Sequence, residues 1–253
     1  MAARPHLLVA TPCYGGMVTT TYANSLLKLQ AACRARGIDF EWLLLGGDAL
    51  ITRARADLVA HFLDRPTASH MLFVDADIGF EPEQAFRLMD FDAEMTAAAY
   101  PTKQIDWHRM RDVIAANHPQ PAQASLGYVF EFENPAMITA RDGFAKVRYA
   151  GTGFLMIRRG ALEKLCAAHP ELKYQLVNTP GDPLRSSPNR FALFDCMIDA
   201  ATGVYLSEDF AFCRRWEALG GELWVDVQSK LTHTGPFTFV GDFSTQFGPA
   251  ATS

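Results

Sequence analysis

The chain has 253 residues, 49% hydrophobic and 20% charged, with a formal net charge of -5. These are ordinary globular proportions, enough for one large α/β domain or two small ones. No basic stripe appears, which points away from a nucleic-acid partner, and no apolar stretch approaches the ~20 residues that cross a bilayer. At most a peripheral membrane contact is expected. The five cysteines, Cys13, Cys33, Cys166, Cys196 and Cys213, are scattered without a C-x-x-C pair. They suggest neither a zinc site nor a disulfide framework. With no apolar leader visible at the start, a reducing cytoplasm is the expected location.

In chain order, residues 7–10 read as a buried strand running into the loop Thr-Pro-Cys-Tyr-Gly-Gly at 11–16. Residues 19–36 show helical spacing at Leu26, Leu29, Ala32 and Cys33, with Gly37 as the stop. A second apolar run at 40–45 closes on Gly46-Gly47-Asp48. Ile51, Ala54, Leu58 and Phe62 line one face of a second helix. Residues 71–74 form a third strand, Pro82 opens a third helix, and 95–99 is a fourth short run. This alternation predicts a parallel sheet with crossover helices. Residues 101–189 read as irregular, with strand-like pieces at 128–132 and 147–149, a Gly151-Thr-Gly153 strand at 154–157 and a helix to Ala168. The Pro- and Ser-rich stretch 177–189 reads as a mobile loop, a possible lid. Leu206-Ser-Glu-Asp opens a helix to Leu219, and 223–225 is a late strand.

The third strand stops at Asp75-Ala76-Asp77. Residues two apart in an extended chain share a face, and a turn past a strand end brings both carboxylates to one point. Asp is also a common turn residue, so a plain surface turn is the rival reading. What favours a site is convergence. In parallel sheets the ligand crevice lies beyond the carboxyl ends of the strands, where loops 11–16, 46–52 and 75–79 meet. Paired hard oxygen ligands there suit a divalent cation held against a phosphorylated ligand.

The order Thr-Pro, Asp-Ala-Asp, Gly-Thr-Gly, Ser-Glu-Asp and a late His resembles nucleotide-sugar glycosyltransferases of the GT-A fold. The stretches Asp48-Ala-Leu-Ile-Thr-Arg-Ala-Arg and Tyr100-Pro-Thr-Lys-Gln-Ile-Asp-Trp are similar to bacterial family 2-like members, more distantly to fungal Anp1-type subunits. The resemblance implies an α/β fold with a mostly parallel central sheet flanked by helices and a smaller irregular acceptor-side region. It implies one domain, 1–100 holding the nucleotide and 101–253 the acceptor. The expected reaction moves a sugar from a nucleoside-diphosphate sugar, UDP favoured and GDP possible, to a hydroxyl of a glycan or lipid-linked saccharide. Asp77 would ligate the metal, Asp75 would touch the ribose or the metal through water, and His233 would be the third ligand. A nitrogen ligand tilts the choice to Mn²⁺ over Mg²⁺. Asp209 would be the general base of an inverting reaction, with Glu208 positioning the acceptor; helix capping is the rival reading. If the mannan-type relation were the closer one, the outcome would be retention and the base would vanish.

Donor contacts are expected from Thr11, Pro12 and Tyr14 of the first loop, Asp48, Asp75, Ala76, Lys103 and Gly153. Arg53 and Arg55 cannot share a helix face; Arg53 is favoured for the donor, with a salt bridge as the rival. Asp57 stands where the resembling motif would have Asn. Trp107, Phe237 and Phe239 are stacking candidates, each as readily a core residue. Three other functions compete. A dehalogenase-like phosphohydrolase would carry its Asp-x-Asp on the first strand. A nucleotidylyltransferase would carry an Arg in its first loop, and residues 11–16 have none. A non-catalytic nucleotide-sugar binder would show the same motifs with Asp209 idle.

Overall fold

The computed structural model describes residues 4–177 and 181–247. Its first half runs β1 (His6–Cys13), α1 (Thr20–Arg36), β2 (Asp39–Gly46), α2 (Ile51–Leu63), β3 (His70–Val74), β4 (Ile78–Gly79), α3 (Pro82–Asp90) and β5 (Met95–Ala98). Local chemistry sets these bounds. The Thr19 hydroxyl accepts from the Tyr22 N–H at 3.2 Å to start α1. Gly37 ends it in the left-handed region at φ 68°. Pro82 stands at the first turn of α3, where its missing N–H costs nothing.

The second half contributes β6 (Pro101–Ile105), α4 (Trp107–Ala115), α5 (Pro121–Ala124), β7 (Leu126–Tyr128), β8 (Phe130–Phe132), β9 (Ala140–Arg141), β10 (Phe144–Ala150), β11 (Phe154–Arg158) and α6 (Arg159–Ala168). There follow β12 (Met197–Ile198), β13 (Tyr205–Leu206), α7 (Glu208–Ala218), β14 (Leu223–Asp226), β15 (Thr232–Thr234) and β16 (Thr238–Val240). Helix α4 lies in the region that reads as irregular; Asp106 caps it through bonds of 3.0 Å from the His108 and Arg109 N–H groups.

The protein is α/β, built on a nine-stranded sheet of order β2-β1-β3-β11-β5-β14-β10-β8, with β9 beside β10. Both halves of the chain interleave in it. Strands β1, β2 and β3 are parallel, as are β5 and β14. The core is mostly parallel, as expected, because β3 and β5, both antiparallel to β11, share one direction with β1, β2 and β14; β11 is the exception between them. Parallel neighbours need a crossover; β11 is instead reached from β10 through Gly151–Gly153, so nothing imposes the common direction. The run at 40–45 is the sheet's edge rather than its centre, which leaves Trp42 and Leu44 exposed.

The sheet's two faces bury separate cores. Leu8, Phe73, Leu155, Phe194 and Phe212 fill one, and Leu7, Val9, Leu72, Phe154 and Trp224 the other. The alternation Leu7, Leu8, Val9 across the pleat sends each residue to its own side. Phe194 stacks on Phe212 with centroids 4.3 Å apart.

The loop expected at 177–189 includes residues 178–180, which lie outside the described residues. Its described remainder is tied down. Arg190 reaches Asp182 at 2.6 Å and Asp57 at 3.1 Å. Asp64 accepts from Ser187 and Asn189 at 3.0 and 2.7 Å, and Leu184 is buried. Asp57 also accepts from the Tyr174 hydroxyl at 2.6 Å. A carboxylate there accepts from both Tyr174 and Arg190, whereas the amide of an Asn would offer one acceptor oxygen to the two of them.

Candidate functional site

At the carboxyl ends of β1, β2 and β3 lies a cleft of about 520 Å³, whose lining includes Pro12, Tyr14, Asp48, Arg55, Asp75, Asp77, Lys103, Glu208 and His233. A small three-stranded sheet, β16-β15-β4, assembles its centre. Strand β4 follows the Asp75–Asp77 turn at once and pairs antiparallel with β15, with His233 opposite Ile78. The Thr234 N–H donates to the Asp77 carbonyl at 2.8 Å. His233 therefore sits on a strand, β15, past the late strand that the sequence shows at 223–225. A two-residue strand such as β4 is too short to show a period in the sequence.

This pairing sets His233 Nε2 3.2 Å from Asp77 Oδ1, while His233 Nδ1 is 2.8 Å from the Pro101 carbonyl. A carbonyl only accepts, so the Nδ1–H donates to Pro101 and Nε2 is the ring nitrogen turned toward Asp77. Metal-ligating histidines are commonly oriented this way. The Lys103 ammonium contacts Asp77 Oδ2. Burial pushes the Asp77 carboxyl up, but the bonds from His233 and Lys103 outweigh it and hold it below its ordinary value.

Asp75 takes a different partner. Its Oδ1 accepts from Arg55 at 3.0 Å, so the expected trio of Asp75, Asp77 and His233 does not close. Among the described residues no group of three His, Cys, Asp or Glu side chains is arranged to hold a metal. Asp77 and His233 do converge, and those two fit a Mg²⁺ or Mn²⁺ ion whose remaining ligands are phosphate oxygens and water.

Of the two arginines on α2, Arg55 and not the favoured Arg53 lines the cleft. Its side chain is 4% exposed and stands between Asp75 and Glu208, with Nε 3.8 Å from Glu208 Oε1. Nε and Nη1 have no hydrogen-bond partner within the protein, so two buried donors at the cleft floor lack an acceptor. Arg53 instead makes a two-pronged pair with Asp48 at 2.7 and 2.8 Å, and Asp48 also accepts the Leu50 N–H at 2.9 Å. The salt-bridge reading holds for Arg53. The i, i+2 spacing required one arginine to face away, but the phase of α2 relative to the cleft is set by the 46–50 loop.

Glu208, at the start of α7, faces the cleft; burial and then the Asp209 charge raise its carboxyl above the ordinary value. Asp209 is bound locally, accepting from the Ser207 hydroxyl and from the Phe210 N–H at 2.8 Å. Thr11 is fully buried and its hydroxyl is 2.6 Å from that of Tyr22, so of the first loop Pro12, Cys13 and Tyr14 reach the cleft. The Ala76 carbonyl accepts the Thr19 N–H at 2.9 Å. Gly153 makes room within the protein: a Cβ there would lie 2.8 Å from Tyr100 Cζ and 3.0 Å from Asp75 Oδ2. Among the aromatic candidates Trp107 and Phe237 are exposed and Phe239 is buried.

Size alone would select another place. A cleft of about 1260 Å³ opens at the amino ends of the strands among His6, Ser69, His70 and Arg158. Its arginines are already paired, Arg4 with Asp39, Arg36 with Asp90 and Arg158 with Asp92. We assign the site by its chemistry, not its volume.

No family model matches the chain and no curated protein is similar to it in sequence. Among solved structures, A197 from STIV is similar over 91% of this chain and 86% of its own, with a TM-score of 0.50 and 14% identity. A glycosyltransferase involved in the glycosylation of the major capsid of PBCV-1 covers 74% of this chain and 72% of its own, with a TM-score of 0.32 and 10% identity. A 4-diphosphocytidyl-2C-methyl-D-erythritol synthase covers 65% and 80%, with a TM-score of 0.31 and 14% identity. A197 shares the fold, which by itself says nothing of chemistry. The other two are too distant to add to that. No described helix is long and apolar enough to cross a membrane.

Proposed function

We propose that the protein is a metal-assisted glycosyltransferase of GT-A type. It would move a sugar from a nucleoside-diphosphate sugar, UDP before GDP, to a hydroxyl of a glycan or lipid-linked acceptor. The observation that carries this is the meeting of Asp77 and His233 in one cleft, with the imidazole turned by Pro101 to present Nε2. A diphosphate leaving group gains negative charge as the glycosidic bond breaks. A nearby cation offsets it, by about 4 kcal/mol for unit charges ~4 Å apart at an effective dielectric near 20. Mn²⁺, favoured over Mg²⁺ by the nitrogen ligand, would supply that charge when bound by Asp77 and His233.

The chain's own residues supply the rest. Pro12, Tyr14 and Asp48 line the side suited to base and ribose. Arg55 offers its two free donors to the sugar hydroxyls while holding Asp75. Glu208 takes the acceptor hydroxyl's proton, the oxygen attacks the anomeric carbon from the opposite face, and the bond to the diphosphate breaks, with inversion. Glu208 suits this role better than Asp209, because it faces the cleft and its raised carboxyl titrates nearer neutrality. Asp209 is proposed to fix the first turn of α7.

The test is product release. UDP-sugars and GDP-sugars are offered with Mn²⁺ and a panel of saccharide and lipid-linked acceptors. Nucleoside diphosphate release that needs the acceptor and stops with chelator is expected. Nucleotide binding without turnover across the panel would favour a binding protein, and release of pyrophosphate a nucleotidylyltransferase.

A further inference from the structure

Lys103 is placed where the cation would go. Its ammonium contacts Asp77 Oδ2 while Asp77 Oδ1 faces His233. Both oxygens of the carboxylate best placed for a metal are thus engaged, one by a positive charge of the chain itself. The lysine has a built seat. Gly235 lacks a side chain, and a Cβ there would come within 3.0 Å of Lys103 Cδ and 3.4 Å of Cγ. The Gly235 N–H closes the β15–β16 turn on the Phe237 carbonyl at 2.9 Å, and the neighbouring Thr234 is stitched to Asp77. The same hairpin that delivers His233 therefore also cradles the lysine stem. The side chain is 35% exposed, which leaves the head free to swing while the stem keeps its seat.

We infer that Lys103 is a built-in counter-ion that occupies the cation position on Asp77 until a diphosphate draws its ammonium away, so that metal and nucleotide bind with positive coupling. This rests on the metal-assisted reading of the site. A lysine ammonium and a divalent cation repel each other and cannot share one carboxylate oxygen. An ammonium is a compact point charge on a flexible stem, and it suits a phosphate oxygen as well as it suits Asp77. The coupling is reciprocal: whatever the diphosphate does for metal affinity, the metal does for diphosphate affinity.

Mn²⁺ alone is titrated against wild type, Lys103→Met and Lys103→Arg, with free Mn²⁺ read by its paramagnetic resonance, and the titrations are repeated with UDP and with GDP. Without nucleotide, Lys103→Met should bind Mn²⁺ at least tenfold more tightly than wild type. Lys103→Arg, which keeps the charge, should stay as weak as wild type. The nucleotide should raise Mn²⁺ affinity in wild type much more than in Lys103→Met, and Lys103→Gln serves if the Met variant does not fold. Equal nucleotide-free affinity in wild type and the neutral variants would overturn the inference, and nucleotide-assisted Mn²⁺ binding would then still support the proposed function. Failure of every protein to bind Mn²⁺ with or without nucleotide would overturn both.

Discussion

At the residue scale, the roles in the cleft follow from what each carboxylate already touches. Asp77 shares its oxygens with an imidazole and an ammonium, Asp75 with a buried guanidinium, and Glu208 faces the cleft beside Asp209. Asp77→Asn should abolish Mn²⁺-dependent nucleotide binding; calorimetry showing unchanged affinity with Mn²⁺ present would remove Asp77 from the metal site. Glu208→Gln should keep donor binding and lose about 10²–10⁴ in turnover, the usual worth of a general base. Stability gives an independent readout of the same residue. A carboxyl held above its ordinary value in the folded state contributes stability that is complete below the unfolded value of 4.5 and is lost as pH rises through the folded value. The melting temperature of Glu208→Gln relative to wild type should therefore be more favourable at pH 7 than at pH 4. A difference independent of pH would show that Glu208 ionises without cost. Arg55 was legible only in part: its spacing from Arg53 said that one of the two turns inward, and the tertiary phase of α2 chose which.

At the element scale, the small sheet and the Asp57–Arg190 latch matter most. Strands β4 and β15 approach so closely at Gly79 that a Cβ there would lie 2.4 Å from Thr232 Oγ1 and 3.0 Å from Thr21 Cβ. Gly79→Ala should force the strands apart at a cost of about 1–3 kcal/mol and weaken Mn²⁺ binding although no ligand is changed. Native-like metal affinity in that variant would show that the ladder does not position His233. The latch ties residues 182–190 to α2 through side chains that are almost wholly buried, Arg190 at 5% and Asp182 at 8% exposed. Removing one partner of a buried ion pair typically costs about 3–5 kcal/mol, so Arg190→Met should lower the urea midpoint by that equivalent. A loss under about 1 kcal/mol would mean that the loop is held by something else. The helix at 20–36 was legible from its period and the Gly37 stop, that at 82–90 from Pro82, and that at 51–63 from its apolar face alone. Helix α4 and the pieces β4, β6, β7 and β16 were not. They are short, they draw stability from partners distant in sequence, and α4 buries none of its residues.

At the scale of the whole molecule, the cleft is completed by residues from both ends of the chain, so a ligand bridging them should stabilise the entire fold. Mn²⁺ with a bound nucleoside diphosphate at ~100 times its dissociation constant should add about 2.7 kcal/mol. In a thermal melt that is a rise of roughly 5–11 °C for a domain of about 250 residues, reversed by chelator. No shift with any diphosphate would count against the cleft as a nucleotide site. The sequence by itself determined the α/β alternation, the place of the acidic doublet past a buried strand and the start of α7 at Glu208, because hydrophobic period and capping chemistry act over a few residues. Tertiary structure alone decided that β11 inserts antiparallel, that Arg55 and not Arg53 reaches the cleft, that Asp75 faces an arginine, and that Lys103 and His233 converge on Asp77. Those facts depend on strand order and on the pairing of β4 with β15 across more than half the chain, and no local preference encodes such a distance.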